Sequence, residues 1–500
     1  MSRRHIAVIG SGSAALCAGI AALEAGARVT MFEKAPAEEA GGNSRYTAGA
    51  MRFAYDGRDD ILSLLGSQND ERLAKTDFGA YSRDRFAEDM QRFNGGEALN
   101  ELQRTLIDES YGTVEWLKRH NVQFDPIYSR QAFQKDGRFV FWGGLTLEAR
   151  GEGVGLVDAE LDEFTRLGGG IEYSTECCDL VTTDNRVTGV RLRTPAGEES
   201  RAFDAVILGC GGFEASRDMR MQLMGDDWGG AKVRGTPHNT GAGIRMAQAA
   251  GARLRGRRDG CHATPMDRDM PDFGNPEIPF IERKHYRKIC YFLGAMLNAR
   301  GERFVDEGEN FRNYTYAQFG RAILQQPGNV AWQFFDSKVT DLLYAEYRFR
   351  HATCYEADTL EDLVAQLDGI DAPRALQTLH AFNKAVDDSR AFDPTVLDGR
   401  RTVGLDLDKT NWANALDTPP FLAYPVTCGI TFTYAGLDVD LSAAVRSESG
   451  VPIPGLYACG EMIGGIFLDG YPGGSGLTSG AVFGRIAGQS AALGDGSGSA

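Results

Sequence analysis

Hydrophobic positions change their period repeatedly along this chain, and the changes lay out its elements. His5-Ile6-Ala7-Val8-Ile9 is an unbroken apolar run that stops at Gly10-Ser11-Gly12, and the residues from Ser13 onward continue as an apolar helix. A second strand, Arg28 to Phe32, ends at Glu33. From Ser63 to Leu117 the pattern is mostly helical, with apolar residues three and four apart, as in Leu99, Leu102 and Leu106, against charged faces. Val154 to Leu167 reads as another helix. Ile171-Glu172-Tyr173 and Arg186 to Leu192 read as strands, the latter closing a hairpin through Asp184-Asn185. Ala205 to Leu208 is apolar throughout, hence a buried parallel strand, and runs into Gly209-Cys210-Gly211-Gly212-Phe213. After Gly256 the texture shifts to short strands, aromatic loops and one long helical stretch, Leu360 to Val386. Near Gly429 the first texture resumes: Gly455-Leu456-Tyr457-Ala458 closes on Gly460-Glu461, and a last helix runs from Gly476 to Leu493.

The first strand–turn–helix is the fingerprint of a dinucleotide site. Gly10 permits the tight turn, Gly12 lets backbone approach a pyrophosphate, and Ser13, Ala14 and small Ala15 start a helix that packs closely on its strand. The helix N-terminus offers free N–H groups and a positive dipole end to phosphate. Glu33, followed by Lys34, sits where an acid accepts the adenosine ribose hydroxyls. A nicotinamide domain normally completes its site within its first half. Here a glycine-rich segment returns at Tyr471-Pro472-Gly473-Gly474-Ser475-Gly476, so the two chain ends are expected to share one ligand, and FAD fits that arrangement. The expected fold is α/β: a Rossmann-like cofactor domain over 1–257, with a helical insertion at about 58–150, an α+β capping domain over 258–430, the cofactor domain again over 431–493, and a loose tail at 494–500.

Composition narrows the classes. Five hundred residues at 42% hydrophobic suffice for two or three domains, and 53 basic against 69 acidic residues, a formal charge of −16, argue against nucleic acid or an anionic membrane as partners. Nine cysteines without a CxxC pair, with Cys177-Cys178 adjacent in a strand pattern, imply a reducing compartment and no iron–sulfur cluster. No apolar run reaches the roughly 18 residues of a membrane span. The expected location is cytoplasmic, with contact to the inner membrane face only through an electron-transfer partner.

These blocks together resemble the FAD-dependent fumarate reductase/succinate dehydrogenase flavoprotein family, in the soluble branch that also holds 3-ketosteroid dehydrogenases. The resemblance rests on the N-terminal glycine unit, Gly41-Gly42-Asn43-Ser44 with Ala48-Gly49, Gly211-Gly212-Phe213, Gly301 to Glu307, and Gly455-Leu456-Tyr457 leading to Gly460-Glu461. Within the branch, Gly41 to Arg52 looks most like the tricarballylate dehydrogenases. The resemblance implies a glutathione-reductase-like FAD domain. In it Gly41, Gly42, Asn43 and Ser44 wrap pyrophosphate and ribityl oxygens, Glu461 holds the ribityl chain, and Gly474, Ser475, Gly476 and Leu477 point a helix N-terminus at the flavin. Ala48, Gly49, Cys178, Gly211, Gly212 and Gly460 complete the cofactor set. Succinate dehydrogenases attach FAD through a histidine near the position of Ser44. No histidine occurs here between His5 and His120, so the cofactor is expected to be non-covalent.

The resemblance also implies a catalytic set. Arg312, after the Gly301–Glu307 block, matches the arginine that passes a proton while the flavin passes a hydride. His262 matches a histidine that holds a substrate carboxylate. Four positions depart from the family's fumarate reductases: Lys288 and Tyr291 stand at about the places of a relay glutamate and arginine, Phe432, between Thr431 and Thr433, at that of a second histidine, and Tyr471 replaces a carboxylate-clamping arginine. A plain fumarate site is therefore not expected. The basic run Arg283-Lys284-His285-Tyr286-Arg287-Lys288 favours anion capture over a steroid, so Arg287, Lys288, Tyr291, Thr431 and Thr433 are the expected substrate contacts, with Tyr471 as a further catalytic group. The leading expectation is oxidation of a CH–CH bond beside a carboxylate, as in tricarballylate to cis-aconitate. Electrons would leave to a separate acceptor, a quinone-linked or iron–sulfur/haem membrane protein. A 3-ketosteroid dehydrogenase or enoate/fumarate-type reductase is the alternative on the same fold. A flavin-carrying electron-transfer subunit, inactive without its partner, is the alternative of another class.

Overall fold

The computed structural model describes residues 3–66 and 70–494; the expected tail lies outside them except for Gly494. The chain divides into two units, one of residues 1–224, 235–261 and 432–500, the other of 225–234 and 262–431.

In the first unit, five of the six strands of the main sheet are parallel. Its order is Ala444–Arg446, Pro452–Ala458, Ala205–Leu208, His5–Ile9, Arg28–Phe32, Gly170–Glu172, with only the Ala444–Arg446 edge antiparallel. His5–Ile9 and Ala205–Leu208 are buried almost throughout, which is why their sequence is apolar without alternation. The helix Ser13–Glu24 lies between two others. Its Gly19 is covered by the Phe164 ring of the helix Glu152–Arg166, where a Cβ would come within 2.6 Å. On its other side is the helix Ser475–Leu493, where Cβ atoms at Gly484 and Gly488 would fall 2.4 and 2.2 Å from the carbonyl oxygens of Ala14 and Ala18. Glycine and alanine on both helices allow this backbone-to-backbone packing. The hairpin appears as expected: Glu176–Thr183 pairs with Arg186–Thr194, and Asp184 and Asn185 both take positive φ, 49° and 61°, the geometry of a two-residue primed turn.

The insertion at about 58–150 is not helical throughout. Helices Arg58–Leu65, Arg83–Arg92 and Glu101–Arg119 are followed by strands Phe124–Pro126, Ala132–Lys135, Arg138–Phe141 and Leu147–Ala149. Short strands paired with distant partners leave little periodic signal of their own.

The second unit is built on a mixed sheet in which Phe421–Thr433 is central. Val330–Phe335 and Tyr355–Ala357 pair with it antiparallel, Lys232–Val233 parallel, and Cys261–Asp267 also pairs with it, while Ala295–Asn298 flanks Val330–Phe335. The Lys232–Val233 pairing places residues 225–234 in this unit, although the sequence pattern puts them with the cofactor domain. The stretch Leu360 to Val386, expected as one helix, is two: Leu360–Ala365 and Ala372–Ala385. Asp371 accepts the Arg374 N–H at 3.0 Å and Pro373 stands in the first turn, so local capping restarts the helix after Gly369. Both helices cover a core of Trp332, Phe334, Leu379, Phe382 and Ala423.

The two-helix contact gives a direct test. Gly484→Val forces side-chain atoms against the fixed Ala14 carbonyl, a strain of about 1–3 kcal/mol or more. A lower urea midpoint together with weaker cofactor retention is the expected result, with both read on one preparation.

Candidate active site

The N-terminal glycine turn of the first unit is built to receive an anion. The helix Ser13–Glu24 has no side-chain cap at Gly12 and no acidic residue in its first turn, so the amides of Ala14 and Ala15 face outward for a phosphate. Gly12 faces Gly42: a Cβ on Gly42 would meet only the Gly12 Cα, at 3.8 Å, and one on Gly12 would meet only Ser44 Oγ at 3.4 Å and Gly41 O at 3.6 Å. Among the described residues no other atom comes within 4 Å of either position, so the space is one that a side chain would occupy. The Ser13 N–H donates to Ser44 Oγ at 3.1 Å and the Gly41 N–H to Ser11 Oγ at 3.0 Å, tying the two glycine loops together. Glu33 is buried, accepting from Ser11 Oγ at 2.6 Å and the Ala35 N–H at 2.8 Å. Each carboxylate oxygen so engaged keeps a second lone pair for a ribose hydroxyl. Lys34 donates to Thr240 Oγ1 at 3.2 Å. Behind the helix, fully buried Glu160 accepts from Ser13 Oγ at 2.8 Å, and burial pushes its carboxyl up to about 8.

Further along the same pocket, Gly212 lies under Glu461, where a Cβ would come within 2.1 Å of Oε1. Thr433 donates to that oxygen through its N–H at 2.6 Å and its hydroxyl at 2.9 Å. Gly211 and Gly460 both take positive φ, and Ala14 lies against Gly460. Ala48 precedes Gly49, which abuts the Glu152 backbone. Cys178 is half-buried on the strand Glu176–Thr183, its thiol raised first by burial and then by Glu176. Ser475, Gly476 and Leu477 open the last helix, again without a side-chain cap at Gly474 or an acid in the first turn. Arg52, which the sequence reading did not single out, fixes this turn: fully buried, it donates from Nε to Gly473 O at 2.8 Å and from Nη1 to Gly143 O at 2.7 Å, 3.8 Å from Asp89. Its position at the end of the Gly41–Arg52 block was the available signal. Tyr471 packs among Phe432, Phe467 and Tyr434, with ring centroids 6.3, 5.1 and 6.4 Å away.

The remaining candidates lie in the second unit. His262 is buried with its ring 5.0 Å from that of Tyr316. Burial, then the charge of Arg234, and less so that of Arg287, hold its pKa well below the usual imidazole range, so it is neutral at working pH. Arg234 is the second residue the sequence reading missed. It is buried beside the strand Phe421–Thr433, its carbonyl accepting from Thr431 Oγ1 at 2.6 Å. A buried arginine followed by glycine, next to a short strand, was the only trace in the sequence. Arg312 opens the helix Arg312–Leu324 and lies with its guanidinium carbon 5.1 Å from the centre of the Tyr344 ring. Burial works against its charge, but Tyr344, Cys290 and Tyr291 outweigh it and the pKa is raised. Tyr291 OH is 2.7 Å from Thr315 Oγ1.

The basic run is largely engaged by protein groups. Arg287 pairs with Glu346 at 2.6 Å, and Lys288, fully buried, donates to Glu346 O at 3.2 Å and lies 3.7 Å from Asp267. Burial lowers the Lys288 pKa, with Asp267 and Glu346 opposing the shift. Among the described residues no cluster of His, Cys, Asp or Glu could hold a metal ion, and no helix is long and apolar enough to cross a membrane.

A parallel sheet with paired glycine loops, a helix N-terminus without a side-chain cap and a buried acid at the end of the second strand is the arrangement of a dinucleotide-binding protein. The family described as FAD binding domain matches residues 5–477, and the chain belongs to it; FAD is its cofactor. The chain is 27% identical to a fumarate reductase (cytochrome) of Shewanella frigidimarina, over 97% of this chain and 76% of that protein. It is 25% identical to an NADH:acrylate oxidoreductase of Vibrio harveyi, over 97% of this chain but only 50% of that protein, so it spans half of that relative's length. The fold matches a 3-ketosteroid delta1-dehydrogenase from Sterolibacterium denitrificans with a TM-score of 0.73 at 20% identity, covering 98% of this chain and 99% of that one. The chain is thus an FAD-dependent oxidoreductase.

Lys288 gives the second test. Lys288→Met removes one member of a buried pair and strands Asp267, a loss of about 3–5 kcal/mol. Urea denaturation should show the lower midpoint, and a simultaneous change Asp267→Asn should recover part of it.

Proposed function

We propose that this protein dehydrogenates a CH–CH bond beside a carboxylate, with tricarballylate or a related polycarboxylate as substrate and a separate electron-transfer protein as acceptor. The observation that carries the reading is a buried neutral imidazole, His262, set beside the charge of Arg234 in the unit that also holds Arg312. A neutral imidazole donates one hydrogen bond to a carboxylate without adding a titrating charge, while buried guanidinium groups supply the counter-charge and a planar fork for carboxylate oxygens.

A bound FAD would supply the hydride acceptor for the substrate carbon. Ser13, Gly42, Ser44 and Glu33 hold its dinucleotide, and Glu461 and the Gly474–Leu477 helix end hold the remainder. Arg312, after giving up a proton to solvent, takes the proton from the carbon next to the carboxylate, and the guanidinium cation so formed stabilises the negative charge that develops there. Because its pKa is raised, removal of a proton from Arg312 is the demanding part, and the group works by charge as much as by transfer. Arg287 and Lys288 shape this region through Glu346 and Asp267, and Tyr291 and Thr431 line it.

The second reading, an enone or 3-ketosteroid substrate, is favoured by the aromatic cluster around Tyr471. Anaerobic addition of tricarballylate should bleach the flavin absorbance; bleaching by a 3-ketosteroid and not by polycarboxylates would reverse the ranking. Arg312→Ala should keep its FAD and lose roughly 10²–10⁴-fold in turnover with a dye acceptor, with Arg312→Lys restoring little because lysine lacks the planar fork. Normal turnover in flavin-loaded Arg312→Ala would remove Arg312 from the reaction. We also propose that the FAD is non-covalent, since no histidine lies between His5 and His120. Acid precipitation should leave the yellow flavin in the supernatant, whereas flavin in the pellet would refute this.

A further inference from the structure

Two carboxyl groups meet in the cofactor pocket of the first unit. Glu214, directly after Gly211-Gly212-Phe213, is fully buried. One of its oxygens, Oε1, accepts from the amides of Asn43 and Asn239, each at 2.6 Å. The other, Oε2, is buried and receives no donor from any described residue, while the carboxyl lies within hydrogen-bonding reach of Glu461. Glu461 Oε1 is itself filled by the two Thr433 donors. Two carboxylates only accept, so facing one another they repel; a single proton between them turns the contact into a hydrogen bond. Arg220, on the helix Arg217–Met224, donates to the backbone oxygen of Glu214. Cys210 and His238, the nearest titratable groups on the same loops, feel Lys34 and Glu33. Asn43, Asn239 and Thr433 are neutral.

We propose that Glu214 is a positioning residue that shares one proton with Glu461, and that this singly charged pair is the form of the pocket that binds FAD. Asn43 serves both halves: its Nδ2 holds Glu214, and its Oδ1 accepts the Thr236 N–H at 2.8 Å, joining the Gly41–Ser44 loop to the pair. Loss of the shared proton leaves two negative charges in a buried space beside the ribityl-binding Glu461, and the repulsion spreads the two loops. Burial and Glu461 both raise the Glu214 pKa, and burial raises that of Glu461. The sign follows: a carboxyl whose folded pKa lies above its unfolded value makes the protein lose stability as pH rises from about 4.3 towards the folded value. Cofactor affinity falls in the same direction, by about tenfold per pH unit once the shared proton is leaving.

The inference rests on the FAD site described above, and wild-type FAD retention is its control. Glu214→Gln is the informative variant, because its amide donates to Glu461 as the shared proton does and its oxygen still accepts from Asn43 and Asn239. Infrared spectra of wild type at pH 7 should contain a protonated-carboxyl carbonyl band that Glu214→Gln lacks; the band of Glu160 is common to both and cancels in the difference. FAD affinity of Glu214→Gln, measured by fluorescence of released flavin, should equal that of wild type within about threefold near neutral pH and stay flat to alkaline pH. Glu214→Ala should bind more weakly at every pH. An absent difference band in the infrared spectrum, or Glu214→Gln binding as weakly as Glu214→Ala, overturns the proposal. The infrared comparison on wild type across pH decides the matter even if a variant fails to fold.

Discussion

Everything in the cofactor domain depends on bringing the backbone of the first helix against that of the last. Ser13–Glu24 and Ser475–Leu493 touch through Ala14, Ala18, Gly484 and Gly488 at distances that exclude any β-carbon on the glycines. That contact joins residues more than four hundred positions apart. Closing so long a loop costs conformational entropy that local interactions cannot offset. Dense dispersion contact between two smooth helix faces, backed by the parallel sheet beneath, offsets it. Once the two helices are in register, the Gly10–Gly12, Gly41–Ser44, Gly211–Gly212 and Gly460–Glu461 loops gather at the same end of the sheet, where open parallel sheets place their ligands.

The second constraint is the handling of charge away from water. Arg52 is spent on carbonyl oxygens, so a cation holds a turn together instead of meeting a ligand. In the other unit, Arg287 and Lys288 are neutralised by Glu346 and Asp267, leaving His262 with Arg234 as the polar centre. Glu160 and the Glu214–Glu461 pair solve the same problem by holding protons rather than counter-ions. The pattern separates charges that support the fold from those available to a reaction.

The glycine turn, the Gly41–Ser44 loop, Gly211–Gly212 and the returning Gly455–Glu461 segment were legible because each is a backbone requirement, and backbone requirements leave glycine in the sequence. The hairpin at Asp184-Asn185 was legible for the same reason. Arg234, Arg52 and Glu214 were not, since nothing local distinguishes a buried charged residue from a solvated one. The basic run Arg283–Lys288 shows the converse: its composition suggests a surface for anions, while its partners Asp267 and Glu346 lie 21 and 58 positions away from Lys288, counted along the chain.

The sequence by itself determined the cofactor class and the division into a split dinucleotide domain around an insertion, because those follow from local turn geometry and from periodicity. Only the tertiary structure decided which carboxyl faces another carboxyl, which arginine meets a carbonyl and which imidazole lies beside a cation. Ionisation depends on burial and on neighbours within a few ångströms, and in a chain of this length those neighbours come from segments that the order of residues does not reveal.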